Sequence, residues 1–306
     1  RCFLHSCIDF LTKYGTIPQF FSEKLILMKF KVSSGLNIEA TALGNPDDPL
    51  VILLHGGGQT RHAWGGTAEK LSQAGFYAVA IDLRGHGDSD WSKEGDYAIE
   101  SYKEDLVSII HQLGKDASLI GASLGGMVSL CTAGDKECRD ICNALVMVDI
   151  GIYPNEDGSN EILNFMSSGS KGFSSLEEAS DSIASYLPHR EKPKDISGLK
   201  KNLRLKEDGR YYWHWDPRFI ESRISNRSDY KLRQKMYAES VNVPTLLIRG
   251  ALSNVVTQEE VDDFLETIDH ADFIEIDRAA HMIAGDRNDI FANAAISFLQ
   301  KTLNSE

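Results

Sequence analysis

The sequence predicts an α/β fold: a mostly parallel sheet with helices on both faces, interrupted once by a helical insertion. Three observations carry it. Short apolar runs alternate with longer amphipathic segments from Met28 to Gly151. Residues 152–240 break that rhythm; they are polar, helix-like and rich in aromatics, with no clear buried strand. The alternation resumes at "VPTLLIRG" and ends in a last helix, "DIFANAAISFLQKTL". A repeated strand–helix–strand order implies parallel strands, because each helix returns the chain to start the next strand in the same direction.

The elements follow in order. "PLVILLHGGG" is a buried strand ended by glycines, "AEKLSQAGF" a short helix stopping near Gly75, and "YAVAIDLRGHG" the next strand. In "SYKEDLVSIIHQLG" the apolar residues Leu106, Ile109, Ile110 and Leu113 recur at helical spacing, with Gly114 as the stop. "DASLIGAS" is a strand, "LGGMVSLCTAG" a helix directly behind it, and "NALVMVDIG" a strand again. After the insertion come the strand "VPTLLIRG", the helix "QEEVDDFLETI", the strand "ADFIEID" and the last helix. The expected organisation is an N-terminal extension over 1–27, a core made of 28–151 and 241–306, and the helical insertion over 152–240.

Composition narrows the function classes. A net charge of −13 opposes non-specific nucleic-acid binding, which needs Lys and Arg to displace counterions from phosphates. No apolar run approaches the roughly 18–20 residues needed to span a bilayer, so no membrane partner is expected. The five cysteines are Cys2, Cys7, Cys131, Cys138 and Cys142. Cys138 and Cys142 fit one helix face at i, i+4, but two ligands do not close a zinc site. Free thiols in a reducing compartment are expected. The stretch "RCFLHSCIDFLTKYGTIPQFF" lacks a basic segment followed by a clean apolar one, so it is a poor signal peptide and a cytoplasmic location is expected. Nothing in the sequence sets an oligomeric state.

The chemistry concentrates at strand ends. "LIGASLGGM" places Gly121-Ala-Ser123-Leu-Gly125, a G-x-S-x-G pattern, between a strand and a helix. A serine held at so sharp a turn projects its Oγ from the sheet edge, and the glycines let strand and helix close together. The following helix aims backbone N–H groups at developing negative charge. The N–H of Leu124 is one expected oxyanion donor. The other is Gly57 in "HGGG", rather than Gly58, with His55 bracing the loop. That run lacks the G-K-[ST] ending of a nucleotide-binding loop. "DLRGHGDSD" is expected to tie its own backbone together beside the site, with His86 and Asp88 structural. Of the nine histidines, His281 alone follows the last strand and precedes the last helix, in "AAHMIAGDRNDIF". It is the expected base, and His270 a surface residue.

On "HGGG", "DLRGHGDS", "GASLGGM" and "AAHMIAGDRNDIF", in that order, the chain resembles the α/β-hydrolase-fold enzymes over nearly all of residues 28–306. It is especially similar to small bacterial hydrolases that cleave lactones, esters and amides. The resemblance implies an eight-stranded, mostly parallel sheet, a Ser–acid–His triad and a lid inserted after the sixth strand. It also implies an acid after the seventh strand, at "RGALSN". Asn254 occupies that place, or Ser253 if the turn is taken one residue earlier, and neither carries a charge. Asp149, ending "ALVMVDIG", is a second seat that some relatives of this fold use. The order Ser123, Asp149, His281 matches nucleophile, acid and base. Glu259 and Glu260 are further carboxylates, expected to lie too far along their helix.

The expected function is a cofactor-free and metal-free serine hydrolase of a small ester, lactone or amide. Hydrolysis of a C–C bond in a β-diketone-like compound is an alternative, as is a hydrolase-fold receptor or pseudoenzyme that binds a small molecule. His62, Trp64, Tyr153, Phe165, Trp213 and Trp215 are candidate walls of the substrate pocket. Arg190 and Arg218 are candidates to meet a substrate carboxylate, with a surface or salt-bridge role favoured.

Overall fold

The computed structural model describes residues 25–186, 195–225, 227–277, 279 and 288–303. Its strands are β1 (Ile26–Lys31), β2 (Asn37–Leu43), β3 (Leu50–Leu54), β4 (Tyr77–Ile81), β5 (Ala117–Ala122), β6 (Cys142–Val148), β7 (Leu203–Leu205), β8 (Tyr211–Trp213), β9 (Thr245–Gly250) and β10 (Asp272–Ile276). Eight of them form one sheet in the order β1-β2-β4-β3-β5-β6-β9-β10. β1 and β2 are antiparallel to each other, and β2 is antiparallel to β4; every other pair is parallel.

The fully buried central strands explain the sheet's apolar sequence runs, since helices cover both faces. Leu50, Ile52 and Leu54 of β3 point into one core and Val51 and Leu53 into the other, as the period of two requires. Helices α1 (Gly65–Gln73) and α9 (Asn288–Leu303) pack on the second face. Helices α2 (Ile99–Leu113), α3 (Leu124–Gly134) and α8 (Gln258–Thr267) pack on the first. Gly114 ends α2 in the left-handed conformation. Every residue of α3 is buried. That depth demands glycine: a Cβ at Gly121 would strike the carbonyl of Gly125, and one at Gly125 would strike the carbonyl of Leu54.

The insertion follows β6 and comprises α4 (Glu156–Ser167), α5 (Leu176–Tyr186), a 3₁₀ turn at Ser197–Lys201, the β7–β8 hairpin, α6 (Arg218–Ser225) and α7 (Arg227–Ala238). The insertion is not helical throughout, and its two short strands are only partly buried. β7 and β8 form a separate antiparallel pair, extended by a bridge from Phe173 to Tyr211. Cys138 and Cys142 do not share a helix face either, because Cys142 opens β6. Cys131, Cys138 and Cys142 are free thiols; Cys2 and Cys7 lie outside the described residues. Among the described residues no helix is long and apolar enough to cross a membrane.

Candidate active site

Two strand ends define the site. Ser123 leaves β5 with φ 48° and ψ −113°, and Asp149 leaves the neighbouring β6 with φ 49°. Among the described residues these are the two non-glycine residues with positive φ. Such backbone costs on the order of 1–3 kcal/mol per residue and persists where the surroundings over-determine it. Here they do. Ser123 N–H donates to the Val148 carbonyl at 3.2 Å, and Asp149 N–H to the Ile248 carbonyl at 2.7 Å. Each kink is thereby bolted to the next strand.

Asp149 is fully buried. Its Oδ1 accepts the Gly250 N–H at 2.8 Å and its Oδ2 the Ser253 hydroxyl at 2.5 Å. A carboxylate has about four lone-pair sites, so these two contacts do not exhaust what it can accept. Asn254 points elsewhere: its Nδ2 donates to Glu161 of α4 at 2.6 Å, at the exposed surface. The turn after β9 therefore contributes Ser253 as a donor to Asp149. Glu260 closes a capping box with Thr257 and also accepts from Asn155, so it is spent on the start of α8. His281 lies outside the described residues, as do His189 and Arg190.

Leu124 is the first residue of α3, where a helix has no internal partner for its N–H groups. Gly57 lines the cavity beside Ser123. Its loop is braced on both sides. Gly56 N–H donates to Gln59 Oε1 at 2.9 Å, and Gly125 N–H to the His55 carbonyl at 3.1 Å.

Three buried histidines stand behind this loop. The His55 and His86 rings lie 5.3 Å apart, and His86 and His214 6.0 Å apart. His55 Nε2 accepts the Leu83 N–H at 3.0 Å, which leaves Nδ1 to donate to the Gly56 carbonyl at 2.8 Å. His214, from the insertion, accepts the Gly87 N–H at 2.7 Å on Nδ1 and faces the Gly58 carbonyl with Nε2 at 3.3 Å. Both rings are thus wired as neutral tautomers. Burial, then repulsion from His55, holds His86 down to about 3; burial holds His55 down to about 4. Burial and the neighbouring rings hold His214 well below its ordinary value.

These rings make the fold acid-sensitive. Below about pH 6.5 the unfolded chain takes up protons that the folded chain refuses, so stability is lost as pH falls from there towards 4. The loss is about 1.4 kcal/mol per pH unit for each ring. Above pH 6.5, the ordinary histidine value, these rings add no pH dependence. We predict that His86→Gln flattens this loss by about one ring's share. Urea melts at pH 7 and pH 5 check it; parallel slopes for wild type and variant would contradict it.

The loop after β4 joins insertion to core. Asp82 takes the Arg61 backbone N–H at 2.6 Å and the Arg61 guanidinium. Asp88 bridges Arg61 at 3.0 Å and Arg204 of β7 at 2.8 Å. Arg204 also donates to the Gly87 carbonyl at 2.6 Å. Asp216 N–H donates to the Gly85 carbonyl at 2.9 Å, and its Oδ2 accepts from Tyr97 at 2.6 Å. Arg218 pairs with that same Asp216, which accounts for its charge.

Two cavities meet over Ser123. One, of about 120 Å³, is bounded by Tyr97, Leu124, Met127, Tyr153 and Phe219. The other, of about 510 Å³, is bounded by His62, Phe165, Tyr186, Trp213 and Trp215, with Trp64 at its edge. Trp213 and Trp215 stack at 4.9 Å, and Phe165 and Tyr186 at 4.3 Å. Trp64 is only 1% exposed and packs on Phe291 at 5.8 Å, so most of its ring serves the core. The sequence singled out neither Ser253 as a donor to Asp149 nor Tyr97, Met127, Phe219 and Tyr186 as walls, nor Ile162 and Met166, which line both cavities with Ser123. The i, i+4 spacing of Ile162 and Met166 was the available signal.

A family model described as alpha/beta hydrolase fold matches residues 49–287. Esterase Rv0045c of Mycobacterium tuberculosis is 26% identical over 250 residues, which cover 78% of each chain. Protein phosphatase methylesterase 1 of Bos taurus is 32% identical over 138 residues, 44% of this chain; the match spans 36% of that protein's length. Among solved structures, E-2-(acetamidomethylene)succinate hydrolase superposes with a TM-score of 0.78 at 20% identity, covering 90% of this chain and 100% of that one. That last likeness concerns the fold.

Proposed function

The chain belongs to the α/β-hydrolase fold family and is a hydrolase, and on that premise we propose that it is a cofactor-free serine hydrolase of small esters, lactones or amides. The observation that carries the reading is the pair of strained residues, Ser123 and Asp149, on adjacent parallel strand ends. The relatives named esterase and methylesterase favour an ester among the three bonds.

In this mechanism His281 takes the Ser123 proton as Oγ attacks the carbonyl carbon. The N–H groups of Leu124 and Gly57 receive the oxyanion, each donor contributing about 10²–10³ in rate. Asp149 orients the imidazole and offsets the charge of the imidazolium. His281 then protonates the leaving group, and its neutral form activates the water that releases the acyl group from Ser123.

A fluorophosphonate probe tests this directly. Intact mass should rise by one adduct, and peptide mapping should place it on Ser123. A folded protein that stays unlabelled would mean that the serine is not activated, as in a receptor of this fold. A panel of aryl esters, lactones and β-diketones then separates acyl hydrolysis from C–C cleavage.

A further inference from the structure

The two cavities differ about fourfold in volume, 120 against 510 Å³, yet they share the same floor and the same ceiling. The shared floor is Gly57 and Ser123; the shared ceiling is Ile162 and Met166. Those two ceiling residues stand at i, i+4 on α4, so one helix face presents both side chains downward. Met166 is 3% exposed. Its Cε lies 3.4 Å from where a Cβ on Gly58 would sit, and its Sδ 3.6 Å from where one on Gly57 would sit. The thioether therefore rests on the oxyanion loop itself and divides the space above the nucleophile.

A carbonyl carbon bonded to Ser123 has two remaining arms once its oxygen faces Gly57 and Leu124. With a divider overhead, the arms must part, one into each cavity. The smaller, at about 120 Å³, falls below the roughly 300–1,000 Å³ range of sites for drug-sized ligands. The larger lies within that range. Its walls offer two stacked aromatic pairs, which favour a flat aromatic arm.

We propose, resting on the serine-hydrolase reading above, that the substrate is an ester with one short arm and one bulky aromatic arm, and that Met166 is the residue that enforces the asymmetry. The short arm enters the side of Met127 and Phe219. The aromatic arm enters the side of Trp213 and Trp215. An ester bulky on both sides must crowd its second arm into the smaller side until Met166 is trimmed.

The test compares kcat/KM for methyl 2-naphthylacetate and 2-naphthyl acetate, each with one short arm, against benzyl 2-naphthylacetate, bulky on both sides. Wild type should favour the better short-armed ester at least about 100-fold, since a single misfit methylene in a pocket already discriminates about 10–200-fold. Met166→Ala should raise the relative rate on the doubly bulky ester at least about tenfold, while Met166→Leu, of similar volume, should keep the wild-type ratio. Because the readout is a ratio, a general loss of rate from loosening the oxyanion loop cancels. Fluorophosphonate labelling of Ser123 is run on every variant. A labelled wild type that cuts the doubly bulky ester equally well, or cuts none of the three, overturns this inference alone. So does an unchanged ratio in a labelled Met166→Ala. Absence of labelling in the wild type overturns the serine chemistry itself and this inference with it.

Discussion

Ser123→Ala is expected to abolish turnover, lowering kcat on an activated aryl ester by on the order of 10⁶, with the fold untouched. The size follows from the role proposed for the serine: on that mechanism no acyl-enzyme forms without Oγ, and only the oxyanion donors and binding remain. The intact fold follows from its surroundings. Ser123 opens α3 without any side-chain hydrogen bond to the helix, so the substitution removes no cap. Alanine also meets the same φ of 48° at no more cost than serine. Steady-state kinetics and a thermal melt check both halves. Retention of more than about one per cent of the wild-type kcat would rule out Ser123 as the nucleophile, given the 10⁶ expected.

Asp149→Asn is the next largest effect, a loss of about 10⁴ in kcat. On the proposed mechanism an amide at this position cannot offset the imidazolium, and its NH₂ group would present a donor where His281 requires an acceptor. Ser253→Ala removes one of the two hydrogen bonds described for the carboxylate and should fall well short of that loss. Asn254→Ala should retain most activity, because Asn254 is bonded to Glu161 at the surface. Asn254→Asp should add little for the same reason. The kcat series decides the matter: if Asn254→Ala loses more than Asp149→Asn, the acid has been misassigned.

The sheet was legible because buried parallel strands, covered on both faces, are written as uninterrupted apolar runs such as "LVILL" and "YAVAI". Ser123 was legible because its strain demands glycines at fixed distances in the chain. The equal strain at Asp149 was not, since nothing beside it in sequence marks a positive φ. The β7–β8 hairpin escaped because each strand has three residues and is only partly buried, too short for a period to register. The histidine row was illegible for a different reason. His55, His86 and His214 come from three distant loops, and only the folded backbone brings their rings together. The partner of Asn254 was hidden in the same way, since Glu161 sits on the inserted α4.

The insertion's grip on the core bears on how such enzymes can be re-engineered. Arg204, His214 and Asp216 each take hold of backbone in the loops that frame Ser123, at Gly87, Gly58 and Gly85. Removing the insertion to open the pocket would strip those carbonyls and amides of their partners and expose the loops to water. An insertion transplanted from a relative would carry its own selectivity, yet it would need these three anchors grafted with it. The portable unit is therefore the insertion together with the two loops it clasps, and the two are expected to melt in a single cooperative step in a calorimetric scan.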